Sequence, residues 1–165
     1  MFMMLTTPKV IDNTIKDLLR FLKIKQSSSI RLKLSKLKNF NPEPKNCHLN
    51  TYIQSQIEGG AIQYGWVIWQ DNLTGSTEAE FHSIWKNQKG ELLDITPRVD
   101  GEKKILFVPD FTREVYFTEK QGKLIINTYD NVRLFYGHLL NEVIPIQRIL
   151  TSALIDEFRL LSHFR

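Results

Sequence analysis

His82 and Asp94, with the single cysteine Cys47, are the residues of this 165-residue chain whose types and spacing suit nucleophilic chemistry. The first two lie in residues 78–97, EAEFHSIWKNQKGELLDITP. The stretch reads as a β-hairpin: Phe81, Ile84 and Trp85 arrive, Asn87-Gln88-Lys89-Gly90 turns, and Leu92-Leu93 leaves. Pairing symmetric about Gln88 sets His82 opposite Asp94, each six residues from the centre. Directly opposed residues of an antiparallel pair share a face, with Cβ atoms roughly 4.5 to 5.5 Å apart. A slip of one residue would send the two to opposite faces, so the turn decides the matter. A carboxylate within reach of an imidazole fixes its tautomer and stabilises the imidazolium formed when the ring takes a proton.

Cys47 supplies the nucleophile that such a pair needs. Asn46 is a suitable N-cap, residues 49–58 have helix-compatible composition, and Gly59-Gly60 stops the helix. The thiol is thereby placed in a first turn, where free N–H groups and the helix dipole favour a thiolate and can hold an oxyanion. Plainer readings stand beside this one. A lone cysteine serves as an inert buried residue, His82 as a core histidine bonded to a carbonyl, and Asp94 as the cap of the turn at Thr96-Pro97. Zinc held by Cys47, His48 and His82 fits by ligand type, but the spacing is irregular, and neither a metal nor a cofactor is expected. Asn50, one turn beyond Cys47, is read as bonding backbone, with orienting the histidine or a substrate carbonyl as the alternative.

The elements that must position these residues follow from periodicity. Residues 10–22 space apolar side chains at helical intervals behind the start signals Thr7 and Pro8. Residues 30–34 alternate as a short strand or arm, and residues 39–46, NFNPEPKN, form a loop leading to Cys47. Residues 61–70, AIQYGWVIWQ, read as a central strand in which Gly65 marks a bulge or a close approach. Short strands follow at 105–108, 115–117 and 124–127, with a turn at Gln121-Gly122. Residues 131–141 and 149–161 read as helices, which puts His138 and His163 on a helical tail with surface roles. Trp66, Trp69 and Trp85 are assigned to the core, Trp85 on the face opposite His82.

The expected fold is therefore α+β. One domain spans 1–165: a basic helix and arm over 1–46, a Cys-bearing helix on an antiparallel sheet of about five strands over 47–128, and helices over 129–165. Net charge is +4, yet residues 1–46 carry ten Lys or Arg against three Asp or Glu. That asymmetry suggests either a solvated lysine-rich face or an anionic partner. One cysteine excludes an intramolecular disulfide framework. MFMMLTTPK has no basic region before its apolar residues, and no apolar run reaches membrane-spanning length, so a cytoplasmic protein without membrane contact is expected.

Cys47 at a helix start, His82-x-x-Trp85, and Gly90-Glu91-Leu92-Leu93-Asp94-x-Thr96-Pro97 together resemble the Cys-His-Asp core of transglutaminase-like and other papain-like cysteine enzymes. More narrowly, Cys47-x-x-Asn50, Gly65-Trp66, Ala79-Glu80-x-His82-x-x-Trp85 and Asp94-x-Thr96-Pro97 are similar to a little-characterised bacterial group. Some of its members carry a C-terminal zinc-binding SEC-C motif, which has no counterpart here. The resemblance covers residues 46–97. It departs from the usual pattern where His48 follows the cysteine and Lys45-Asn46 precede it. It implies a thiol hydrolase or acyltransferase acting on an amide or thioester, a protein among the candidate substrates, with Cys47 as nucleophile, His82 as base and Asp94 orienting it. The alternative is a non-catalytic relative that binds a partner or nucleic acid through the basic segment.

Overall fold

The computed structural model describes residues 4–162. The first helix, α1 (Asn13–Phe21), starts at Asn13 and not at residue 10, because the Asp12 side chain accepts a hydrogen bond from the Ile15 amide at 2.9 Å and is the true N-cap. Thr7 and Pro8 serve elsewhere. The Thr7 hydroxyl donates to the Lys104 carbonyl at 2.6 Å, and Arg31 donates to the Pro8 carbonyl at 2.7 Å. Ile15, Leu18, Leu19 and Leu22 form the buried stripe of α1.

Next come β1 (Ile30–Lys33), α2 (Cys47–Glu58), β2 (Ala61–Asp71) and β3 (Ser76–Lys86). β2 and β3 make a long hairpin paired from Ala61↔Lys86 to Asp71↔Ser76, so β3 begins two residues before the expected 78. Then follow β4 (Leu92–Leu93) and β5 (Lys104–Pro109). With β8 (Val132–Phe135) and β9 (His138–Leu139) they build a seven-stranded antiparallel sheet, order β1-β5-β2-β3-β8-β9, with β4 also on β3. A second sheet orders β10 (Pro145–Ile149), β7 (Lys123–Tyr129) and β6 (Tyr116–Lys120), and α3 (Ile155–Ser162) ends the described chain.

The fold is α+β with the Cys-bearing helix on antiparallel sheet and helices toward both ends, but three expectations need correction, the first being that the last helix starts at Ile155 and not at 149, because residues 145–149 pair with β7 as a strand. The sheet of about five strands is instead one of seven and one of three. Residues 131–141 are not a helix: Val132-Arg133-Leu134-Phe135 alternates buried and exposed, and Tyr136-Gly137, both with left-handed φ, turn the chain back as a hairpin. His138 is accordingly an exposed strand residue. His163 lies outside the described residues.

The large sheet carries a core on each face. On one, α1 packs over Trp66, Ile68, Phe81, Leu106 and Val108. On the other, Val67, Trp69, Ile84, Ile105 and Phe107 are covered by Ile30 and Leu32. This second face curls inward, because beyond the end of β1 Leu34 bridges Asp94 and the Ser35 amide donates to the Asp94 carbonyl at 2.7 Å. The basic N-terminal segment is thus built into the fold through α1 and β1, not appended to it. No helix among the described residues is long and apolar enough to cross a membrane.

Candidate active site

β3 is paired along its whole length with β2, but its other edge is paired only at its ends. β8 takes residues 76–79 and β4 takes 85–86. Between them, at the unpaired edge, a cavity of about 210 Å³ is lined by Cys47, Glu80, His82, Thr96 and Arg98 among others. A second cavity, of about 190 Å³, is lined by Cys47, His48, Ile126 and Arg148, so the cysteine borders both.

His82 Nε2 and Asp94 Oδ1 are 3.0 Å apart, and both residues are 1 % exposed. The carboxylate can only accept, so Nε2–H donates and Nδ1 carries the lone pair of the neutral ring. Their meeting does not come from the expected register. The ladder pairs Trp85 with Leu93 and Lys86 with Leu92, which centres the turn on Lys89, a register that, if continued, would set Thr96 and not Asp94 opposite His82. Asp94 is two residues from Thr96, so the shift preserves the face, and the pair meets diagonally. Gly65, the β2 partner of His82, also has a reason: a Cβ there would sit 2.4 Å from the Val108 carbonyl and 2.5 Å from the Phe107 ring. The bare backbone lets Phe107 pack edge-on to His82, ring centroids 6.3 Å apart.

Cys47 is the first residue of α2 and is 9 % exposed. Asn46 precedes the helix but does not cap it. Its side chain donates instead to Glu43 at 2.7 Å, and Glu43 in turn accepts from the Ser152 hydroxyl at 2.6 Å. Asn50 bonds backbone as read, accepting from the Glu43 amide at 2.9 Å and donating to its carbonyl at 2.8 Å, and it also reaches Thr96 Oγ1 at 3.1 Å. The approach loop, the first turn of α2 and the segment after Asp94 are thereby tied together.

Burial alone would push the Cys47 thiol up, but the imidazoles of His48 and His82 draw it well below the usual thiol range. Burial likewise opposes charge on His82, yet the Cys47 thiolate and the Asp94 carboxylate hold the ring well above the usual histidine range. Nδ1 of His82 is buried and has no hydrogen-bond partner among the described residues, which leaves it as the ring nitrogen free to face a reacting group. The arrangement favours a thiolate beside an imidazolium, a nucleophile that already carries its charge.

His48, Ser83, Glu80 and Arg98 were not among the residues expected to form the site. His48 Nδ1 lies 3.0 Å from Ser83 Oγ, which is 2.8 Å from Thr51 Oγ1. The signal for Glu80 is the period of two along β3, which puts it on the face of His82. Arg98 has no such signal, since a loop brings it back over Trp69. Trp85 lies on the opposite face as read, its indole donating to the Gly59 carbonyl at 2.9 Å. Among the described residues no group of three or more His, Cys, Asp or Glu is placed to hold a metal ion. No family model, no curated protein and no solved structure matches the chain.

Proposed function

We propose that the protein is a thiol-dependent hydrolase or acyltransferase acting on an amide or thioester. The observation that carries this reading is the buried His82–Asp94 hydrogen bond, whose imidazole lines one cavity together with the thiol at the start of α2. The resemblance of residues 46–97 to the Cys-His-Asp core of papain-like enzymes supports it.

In this reading the Cys47 thiolate attacks the carbonyl carbon, and the developing oxyanion is met by N–H groups of the first turn of α2. As the tetrahedral intermediate collapses, the carbonyl carbon loses its bond to nitrogen or sulfur, and His82 Nδ1–H gives its proton to the departing atom. His82 then takes a proton from water or an acceptor, which displaces the acyl group and returns the thiolate.

The test is covalent. Iodoacetamide at pH 6 should label Cys47 on the order of a hundredfold faster than an unperturbed thiol, which is almost wholly protonated there. Cys47→Ala should abolish the labelling. A wild-type rate no higher than that of free cysteine would overturn the proposal.

A further inference from the structure

Resting on that reading, we infer that Glu80 recognises a cationic group on the leaving half of the substrate, so that the protein acts on amides or thioesters whose departing part carries an ammonium or guanidinium close to the scissile bond. Glu80 and His82 are two residues apart on β3 and wall the same cavity with Cys47. The imidazole that protonates the leaving atom must lie on the leaving side of the carbonyl. A carboxylate on the same strand face therefore stands beside the departing half, or beside an incoming acceptor, which retraces the same path.

The carboxylate is poorly satisfied by its own protein. Among the described residues its one hydrogen bond is from the Trp69 indole to Oε2 at 3.2 Å, and Oε1 has none. Nearby cations are otherwise engaged. Arg98 donates to Asp100 at 2.7 Å and stacks over the Trp69 ring at 4.4 Å, and makes no ion pair with Glu80. Lys45 is exposed at the rim. Burial raises the Glu80 carboxyl above its ordinary range although the His82 and Arg98 charges act against it, and a cation bound at the carboxylate would add to that offset. The other cavity at Cys47 differs: Arg148 stands there among Leu49, Ile126, Ile149 and Leu150, with no acidic side chain in its lining. Lys45 borders both cavities, so what separates the two sides of the thiol is that only the Glu80 side offers carboxylates to a substrate.

Methanethiosulfonates of different charge read this directly on the whole protein. Each transfers its thioalkyl group to Cys47, forming a mixed disulfide and releasing methanesulfinate. The rate with the 2-aminoethyl reagent, divided by that with the neutral methyl reagent, should fall about tenfold in Glu80→Gln, while the same ratio for the anionic 2-sulfonatoethyl reagent should rise. The neutral reagent divides out any change in the thiolate itself. Arg98→Gln, which leaves Glu80 in place, should shift the ratio the other way, and serves should Glu80→Gln fail to fold. Rapid neutral labelling with ratios indifferent to both substitutions would overturn this inference and leave the thiol chemistry standing. Failure of every reagent to label at pH 6 would instead remove the thiol chemistry.

Discussion

Two imidazoles flank Cys47, and the fold holds them by different means. His82 stands inside the curled sheet with a buried carboxylate on Nε2 at 3.0 Å. His48, on the other flank, has hydroxyls: Ser83 at 3.0 Å on Nδ1 and Thr128 at 3.5 Å on Nε2. A carboxylate can only accept, so it fixes one tautomer and rewards the charged ring. The hydroxyl chain behind His48 also sets a tautomer, since Thr51 donates to the Cys47 carbonyl, Ser83 donates to Thr51, and Ser83 is left to accept from Nδ1–H, but it brings no charge to reward a second proton on the ring. A histidine beside a thiol is therefore not yet a base, and the group behind the ring decides which proton it holds.

The largest effect that can break this comparison is the loss of His82. With the thiol lowered and the imidazole raised, the ion pair persists between the two pKa values, and wild-type labelling should stay flat through neutral pH and fall only as pH drops through the lowered thiol value. His82→Ala should move the thiol upward, so that iodoacetamide labelling at pH 6 falls about thirtyfold while the rate at pH 9 changes by no more than about threefold. A profile displaced equally at both pH values would point to lost access and not to lost charge.

Asp94→Asn should come next. The amide keeps the size but brings no charge, so His82 should titrate lower than in the wild type in the NMR shift of its ring Cε1–H. Breaking a buried, hydrogen-bonded pair by altering one partner should also cost about 3 kcal/mol in chemical denaturation. Ser83→Ala, on the His48 side, serves as the control for this measurement and should leave the His82 titration in place.

The face shared by His82 and Asp94 was legible because strand parity survives an error of two in register, and the first-turn position of Cys47 because Gly59-Gly60 marks so clear a stop. Other parts depend on contacts that local pattern does not encode. The gap on β3 that opens the cavity exists because β8, more than fifty residues on, pairs only with 76–79. Arg98 reaches Trp69 through a loop with no periodicity, and stacks on a ring that is buried as core. The β10 sequence Pro145-Ile146-Gln147-Arg148-Ile149 opens with a residue that equally opens helices, and it becomes a strand because β7 offers an edge, from Tyr129↔Pro145 to Ile125↔Ile149. The resemblance pointed to Cys47, His82 and Asp94 but not to His48, which stands where transglutaminase-like cores usually have an aromatic residue.

That second imidazole sets the smallest and most discriminating prediction. His48→Asn retains a side-chain amide able to meet Ser83 Oγ, so the hydroxyl chain through Thr51 to the Cys47 carbonyl, at 2.8 Å, should survive. What is lost is a polarisable ring against the sulfur and its packing on Phe81, centroid to centroid 5.7 Å. If the carboxylate behind the ring is what matters, labelling at pH 6 should fall only about threefold, and the alkaline end of the profile should not move. Should His48→Asn instead bring the thirtyfold loss and His82→Ala the small one, the base would be His48, the proton would travel toward the cavity lined by Arg148, and Asp94 would be left as a structural partner. The two substitutions, read on one pH profile, separate an imidazole that holds the thiolate from one that merely lies beside it.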